Sequence, residues 1–157
     1  MERRNLKRLT VGSKLPIIIT KLEKLRVKKM FKLSNRSKEN LEGVDKRIIE
    51  IVELALTISV IDFGIPKYGG LRTAGDQRTM FKKGASKCDG IEKKSAHQSG
   101  LAFDIFAYVD GSASWDRYHM TQLAAAILQS AALLGYGLEW GGLWRNYVDM
   151  PHFQLKE

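Results

Sequence analysis

The chain contains three histidines, His97, His119 and His152, and two of them stand near carboxylates. His97 precedes Asp104 within Ser95-Ala96-His97-Gln98-Ser99-Gly100-Leu101-Ala102-Phe103-Asp104, and His152 closes the run Asp149-Met150-Pro151-His152. Asp104 falls in an otherwise apolar stretch. A carboxylate buried there must be paired or bound to a metal to offset its desolvation. Two imidazoles and one carboxylate make a three-ligand zinc set of the catalytic kind, which leaves the fourth position for water. Asp149, close to a ligand yet outside the set, is the natural general base for that water. Spacing alone leaves a second reading open, in which His97 is a surface histidine and Asp104 a capping or salt-bridging carboxylate.

Elements must hold these side chains. Val44, Ile48, Val52 and Ala55 recur at helical spacing, which predicts a helix over 44–59, ended by Pro66 and Gly69-Gly70. A short helix is expected over 74–83, stopped by Gly84, followed by a Lys/Ser/Gly-rich loop over 84–99. Leu101–Val109 reads as a strand with Ala102, Asp104 and Phe106 on one face. Leu123, Ile127 and Leu134 mark a long helix over 118–134, terminated by Gly135. Pro151 biases Met150 away from helix, so His152 begins an extended segment, and residues 138–155 form one or two strands. The order is helix, helix, strand, helix, strand, an α+β fold with a small antiparallel sheet.

The 157 residues, 44% hydrophobic and 27% charged, describe one globular domain. They exclude a disordered chain, a fibrous repeat and a multi-pass membrane protein. A single cysteine, Cys88, excludes an intrachain disulfide. No apolar run approaches the roughly 18 residues of a membrane span. The apolar stretch 15–19 is shorter than the roughly 7–15 residues of a signal-peptide core. The net charge of +9 is unevenly placed. Residues 1–29 hold ten Lys/Arg against Glu2 and Glu23, whereas residues 30–157 hold sixteen against fifteen acids. The chain thus divides into a basic extension, 1–29, and a nearly neutral domain, 30–157. Pro16 can start a short helix in the extension with Ile18, Leu22 and Leu25 on one face. Attraction to an anionic wall polymer or membrane is one reading of it; a solvated or docked tail is the other. No nucleic-acid motif accompanies the charge, so no nucleic-acid partner is expected.

The two-part pattern Ser-x-His-x-x-Gly-x-Ala-x-Asp and Asp-x-x-His-x-Gln resembles the zinc peptidases of bacterial cell-wall peptides. That family comprises D-alanyl-D-alanine carboxypeptidases and dipeptidases and L-alanyl-D-glutamate endopeptidases. The fuller likeness is to the short phage endolysins. It extends through Phe31-Lys32-Leu33-Ser34, Gly70-Leu71-Arg72-Thr73 with Gln77, Lys83-Gly84 and Trp140-Gly141-Gly142, and covers residues 31–155. The resemblance implies one zinc ion held by His97, Asp104 and His152, with water as the fourth ligand. It implies that Asp149 activates that water, that Arg72 polarises the scissile carbonyl and steadies the oxyanion, and that Ser95 helps hold the substrate. The implied protein is a monomeric peptidase cutting peptidoglycan stem peptides, most closely at the L-alanyl-D-glutamate bond. As a lysin it would wait in the cytoplasm until a holin opens the membrane. A D-alanyl-D-alanine carboxypeptidase or dipeptidase is the alternative within the family, and a non-catalytic zinc-fold binding module the alternative outside enzymes. His119 and Cys88 match no family role, so His119 is expected to be structural and Cys88 an idle thiol. Trp140 and Trp144 are expected to pack beneath the site. Lys82, Lys83, Lys87, Lys93 and Lys94 flank it, where steering of substrate carboxylates and simple solvation remain equally open.

Overall fold

The computed structural model describes residues 31–156. The expected extension over 1–29, with its helix from Pro16, lies outside the described residues. Helix α1 (Asn35–Asn40) is capped by Ser34, and α2 (Lys46–Ile58) by Asp45, whose side chain accepts from the Arg47 amide. This cap explains why α2 starts two residues after the expected Val44. Its buried stripe is Ile48, Ile51, Val52, Ala55 and Leu56. Strand β1 (Asp62–Gly64) follows, then α3 (Ala74–Lys82), whose Thr73 and Asp76 form a reciprocal capping box. A 3-10 turn (Ala96–Ser99) leads into β2 (Ala102–Asp104), β3 (Phe106–Val109) and β4 (Ser112–Ser114). Helix α4 (Arg117–Leu134) is capped by Asp116 and ends on Gly135 in the left-handed region, as its sequence predicts. Strand β5 (Leu138–Trp140), a second 3-10 turn (Gly141–Leu143) and β6 (His152–Leu155) complete the order.

The α+β class holds, but there are two three-stranded antiparallel sheets rather than one: β1-β3-β4 and β2-β6-β5. The expected strand over 101–109 is divided at Ile105, whose amide bonds to the Pro151 carbonyl. Asp104 and Phe106 therefore belong to different sheets, which corrects the expectation that they share a face. β4 was not expected. The Asp110-Gly111 pair, with both residues at positive φ, is the hairpin signal that points to it.

The site rests on the second sheet. Its register sets Asp104 opposite His152, Ala102 opposite Gln154, and Gln154 opposite Glu139. The alternate positions pair Phe103 with Phe153 and Phe153 with Trp140. The two-residue period thus sends polar groups to one face and aromatic rings to the other. Phe103 and Phe153 stack at 5.3 Å and Trp140 continues the stack at 6.2 Å. These rings join the α2 and α4 stripes in a single core. Burying such rings anchors the sheet, at roughly 25 cal/mol per Å² of apolar surface, and so fixes where Asp104 and His152 point.

Candidate metal centre

Asp104 and His152 face each other across the β2–β6 ladder, and His97 is brought beside them by the 3-10 turn. Ser95 caps that turn: its hydroxyl accepts from the His97 amide, and the Gln98 side chain accepts from the Ser95 amide. Gly100 ends the turn at φ 69°. His97 Nε2 lies 3.2 Å from His152 Nδ1 and 3.3 Å from Asp104 Oδ1, and His152 Nδ1 lies 3.1 Å from Asp104 Oδ1.

The outer nitrogens fix the tautomers. His97 Nδ1–H donates to the Gly70 carbonyl at 2.9 Å, an oxygen that can only accept. His152 Nε2–H donates to Gln154 Oε1 at 3.1 Å. Gln154 is oriented in turn by donating from Nε2 to Glu139 Oε2 at 3.1 Å. The two inner nitrogens therefore present lone pairs to each other and to a carboxylate oxygen. Three acceptors that close repel unless a cation or a proton stands among them. Bonds of about 2.0–2.1 Å arranged tetrahedrally put ligand atoms about 3.3–3.4 Å apart, close to the spacings found. The three residues form a group that can hold a metal ion, and each imidazole has the outer hydrogen bond that orients a ligand.

Electrostatics agree with this geometry. Burial works to raise the Asp104 pKa, but the imidazoles of His97 and His152 and the Arg72 guanidinium outweigh it and hold the carboxyl far below its usual range. Burial likewise works to lower the His152 pKa, and the hydrogen bond and charge of Asp104 prevail, pushing it up. The metal-free group therefore favours a proton on His152 more than a free imidazole does.

Arg72 is buried rather than a surface arginine. Nε–H donates to the Tyr68 carbonyl at 2.6 Å, one terminal nitrogen donates to Gln77 Oε1 at 3.3 Å, and the other pairs with Asp104 Oδ2. Asp104 thus offers one oxygen to the histidines and the other to Arg72. Three of five guanidinium N–H groups are engaged, which leaves donors free. Tyr68 adopts φ 66°, uncommon for a residue other than glycine, and its carbonyl is the one Arg72 holds.

Asp149 is half-buried and lines the same cleft, of about 860 Å³, as the His/Asp/His group. Burial raises its pKa and the charge of Asp104 adds to the rise, while His152, His97 and Arg72 pull the other way. Its amide donates to the Gly141 carbonyl at 3.0 Å, and a Cβ on Gly141 would lie 2.5 Å from the Asp149 carbonyl oxygen. The Trp140-Gly141-Gly142 turn therefore sets the position of Asp149.

The remaining residues divide. Trp140 packs beneath the sheet as expected, donating to the Met150 carbonyl. Trp144 does not: its ring lines the cleft 5.1 Å from that of His152 and donates to Glu139. The difference lies in the register, since Trp140 is on the aromatic face of β5 and Trp144 lies beyond the strand. His119 contacts Ser114 Oγ at 2.9 Å, away from the cleft lining, in keeping with a structural role. Cys88 lines the cleft and its carbonyl accepts from Gln77. Sequence reasoning missed the Gly70 carbonyl and the Glu139–Gln154 link, because a backbone acceptor carries no residue signature and cross-strand partners depend on register.

A profile of the family described as phage L-alanyl-D-glutamate peptidase matches residues 29–155. The chain is 29% identical to the peptidoglycan L-alanyl-D-glutamate endopeptidase CwlK of Bacillus subtilis, over 74% of each protein. It is 29% identical to the L-alanyl-D-glutamate peptidase of Escherichia phage T5, over 80% of this chain and 90% of that one. Among solved structures, the L-Ala D-Glu endopeptidase ChiX of Serratia marcescens superposes with a TM-score of 0.71 at 35% identity, covering 83% of this chain and 92% of its own.

Proposed function

The chain belongs to the phage L-alanyl-D-glutamate peptidase family, and on that footing we propose that it is a zinc peptidase hydrolysing the L-alanyl-D-glutamate bond of peptidoglycan stem peptides, as an endolysin does. The convergence of three lone-pair donors, each held from outside, is the observation that carries this reading. His97, Asp104 and His152 would hold the ion; two nitrogens and one oxygen suit zinc. Bound zinc polarises the scissile carbonyl and lowers the pKa of water to about 7. Asp149 takes the proton from the attacking water and returns it to the departing glutamate amine. Arg72 directs its free N–H groups at the developing oxyanion, and Ser95, on the cleft wall, hydrogen-bonds the substrate. No nucleophilic side chain is needed.

The division into a basic extension, 1–29, and a catalytic domain, 30–157, is supported by the span of the family profile. The extension serves attraction to the anionic wall or membrane. No helix among the described residues is long and apolar enough to cross a membrane, and release to the wall through a holin fits the phage relatives. The deciding experiment is a digest of purified muropeptides followed by mass spectrometry. New N-terminal D-glutamate, lost on chelation and restored by zinc, is the expected result. Release of D-alanine instead, or normal cleavage by His97→Ala, refutes the assignment.

A further inference from the structure

Residues 84–95 form one wall of the cleft, and their charges are sorted. Lys87, Lys93 and Lys94 line the cleft. The acids of the same segment, Asp89 and Glu92, line a separate recess with Arg78 and Lys82. The sorting is built into the loop. Asp89 Oδ1 accepts from the amides of Ile91 and Lys93 at 2.7 and 3.0 Å, which turns the acid inward on its own backbone. The wall is also anchored. Buried Gln77 donates to Ser86 Oγ and the Cys88 carbonyl, and Gln98 donates to the Gly90 carbonyl. Lys87 Nζ lies 5.5 Å from the centre of the Tyr147 ring, which also lines the cleft.

None of the three lysines belongs to an ion pair among the described residues. The domain as a whole is nearly neutral, so this local excess is not a reflection of its net charge. The negative side chains of the cleft, Asp104 and Asp149, would be occupied with the metal and the proton in the reaction proposed above. Arg72, the buried cation of the cleft, is tied to Asp104. Uncompensated cations carried on one anchored wall favour an anionic group on whatever binds beside them.

The substrate class supplies such a group. A D-glutamate acylated on its nitrogen has two carboxyl groups. The stem continues through one, and the other is either a free carboxylate or an amide. That group lies on the leaving side, within the residue that carries the departing nitrogen. We propose that Lys87, Lys93 and Lys94 form a carboxylate subsite that reads the free carboxyl of this glutamate, so that the enzyme selects non-amidated stems. The proposal rests on the peptidase activity inferred above.

The test uses the full chain loaded with zinc and two synthetic stem peptides, identical except that one carries the free carboxylate and the other its amide. A charge-assisted hydrogen bond predicts a kcat/KM about 10- to 100-fold higher for the free acid, shrinking as salt is raised. The variant Lys87→Met/Lys93→Met/Lys94→Met should bring the ratio of the two substrates close to one. Native zinc content and melting temperature of the variant establish that its fold is intact. Equal rates on both peptides by the wild type, or a preference that survives in the variant, overturns the subsite. Cleavage of neither peptide overturns the activity on which it rests.

Discussion

Gly70 is predicted to be indispensable to the metal centre although its own atoms hold no metal. A Cβ on Gly70 would lie 2.1 Å from the Asn40 carbonyl oxygen, where contacts under 3.0 Å essentially never occur. Asn40 ends α1 and is fixed by its side-chain bond to the Ile65 carbonyl at 2.8 Å, so the segment carrying Gly70 must yield. The displacement needed is about 0.9 Å. Taken up along the bond to His97, a shift of that size lengthens the 2.9 Å contact from Nδ1 to the Gly70 carbonyl to about 3.8 Å, past hydrogen-bonding range. His97 then loses the contact that fixes its tautomer. Gly70→Ala should therefore weaken zinc binding about 10- to 100-fold, the usual cost of removing an outer partner of a ligand. Overpacking should also destabilise the metal-free protein by about 1–3 kcal/mol, a loss of roughly 3–10 °C in melting temperature. Zinc affinity is read by competition with a chromophoric chelator, and stability by thermal unfolding of chelated protein. Native zinc affinity in a folded Gly70→Ala variant would refute the claim that this bare backbone carries His97.

Four further outcomes are expected. Asp149→Asn should lower kcat by about 10²- to 10⁴-fold with zinc affinity retained; loss of zinc would instead make Asp149 a ligand. Arg72→Met leaves Asp104 Oδ2 without its partner and should destabilise the metal-free protein by about 2–3 kcal/mol in urea unfolding, below the roughly 3–5 of a fully buried pair because the Asp104 side chain is 19% exposed. The raised pKa of His152 means that its contribution to the metal-free protein is full below about pH 6.5 and is lost as pH rises through the folded value. Zinc reverses that trend, because the ligands must be deprotonated to bind it. The melting-temperature difference between wild type and His152→Gln should fall with rising pH in the metal-free protein and grow with rising pH in the zinc-loaded protein, and parallel curves would contradict the shared position of proton and metal. Gly75→Ala, where a Cβ meets only Thr73 Oγ1 at 3.7 Å, should stabilise exposed α3 by up to about 1 kcal/mol with zinc affinity unchanged, which makes it the control for Gly70→Ala.

The residues of the candidate metal centre could be proposed from the sequence because chemistry restricts residue type. Few side chains coordinate a metal, yet the spacing of His97, Asp104 and His152 left a surface reading open, and it was the resemblance to the zinc peptidases that singled them out together with Asp149. The helices were legible too, since α2 and α4 carry regular apolar stripes and end on capping residues. Long-range pairing was not. Nothing local to 101–109 announces that the strand changes sheets at Ile105, or that Asp104 will face His152 in register. That match depends on Phe103, Phe153 and Trp140 stacking in the core, and a slip of one strand by one residue would have turned either Asp104 or His152 to the opposite face from the other. Arg72 looked like a catalytic donor alone, and only the fold shows it tied to Asp104. The lysines of 84–95 looked equally like solvated charges, and only the folded loop parts them from Asp89 and Glu92. The sequence by itself determined which atoms are able to bind a metal and move a proton, because that is a property of side-chain chemistry. The tertiary structure alone decided which way they point and what holds them there, because tautomer, register and charge segregation arise from contacts between residues distant in the chain.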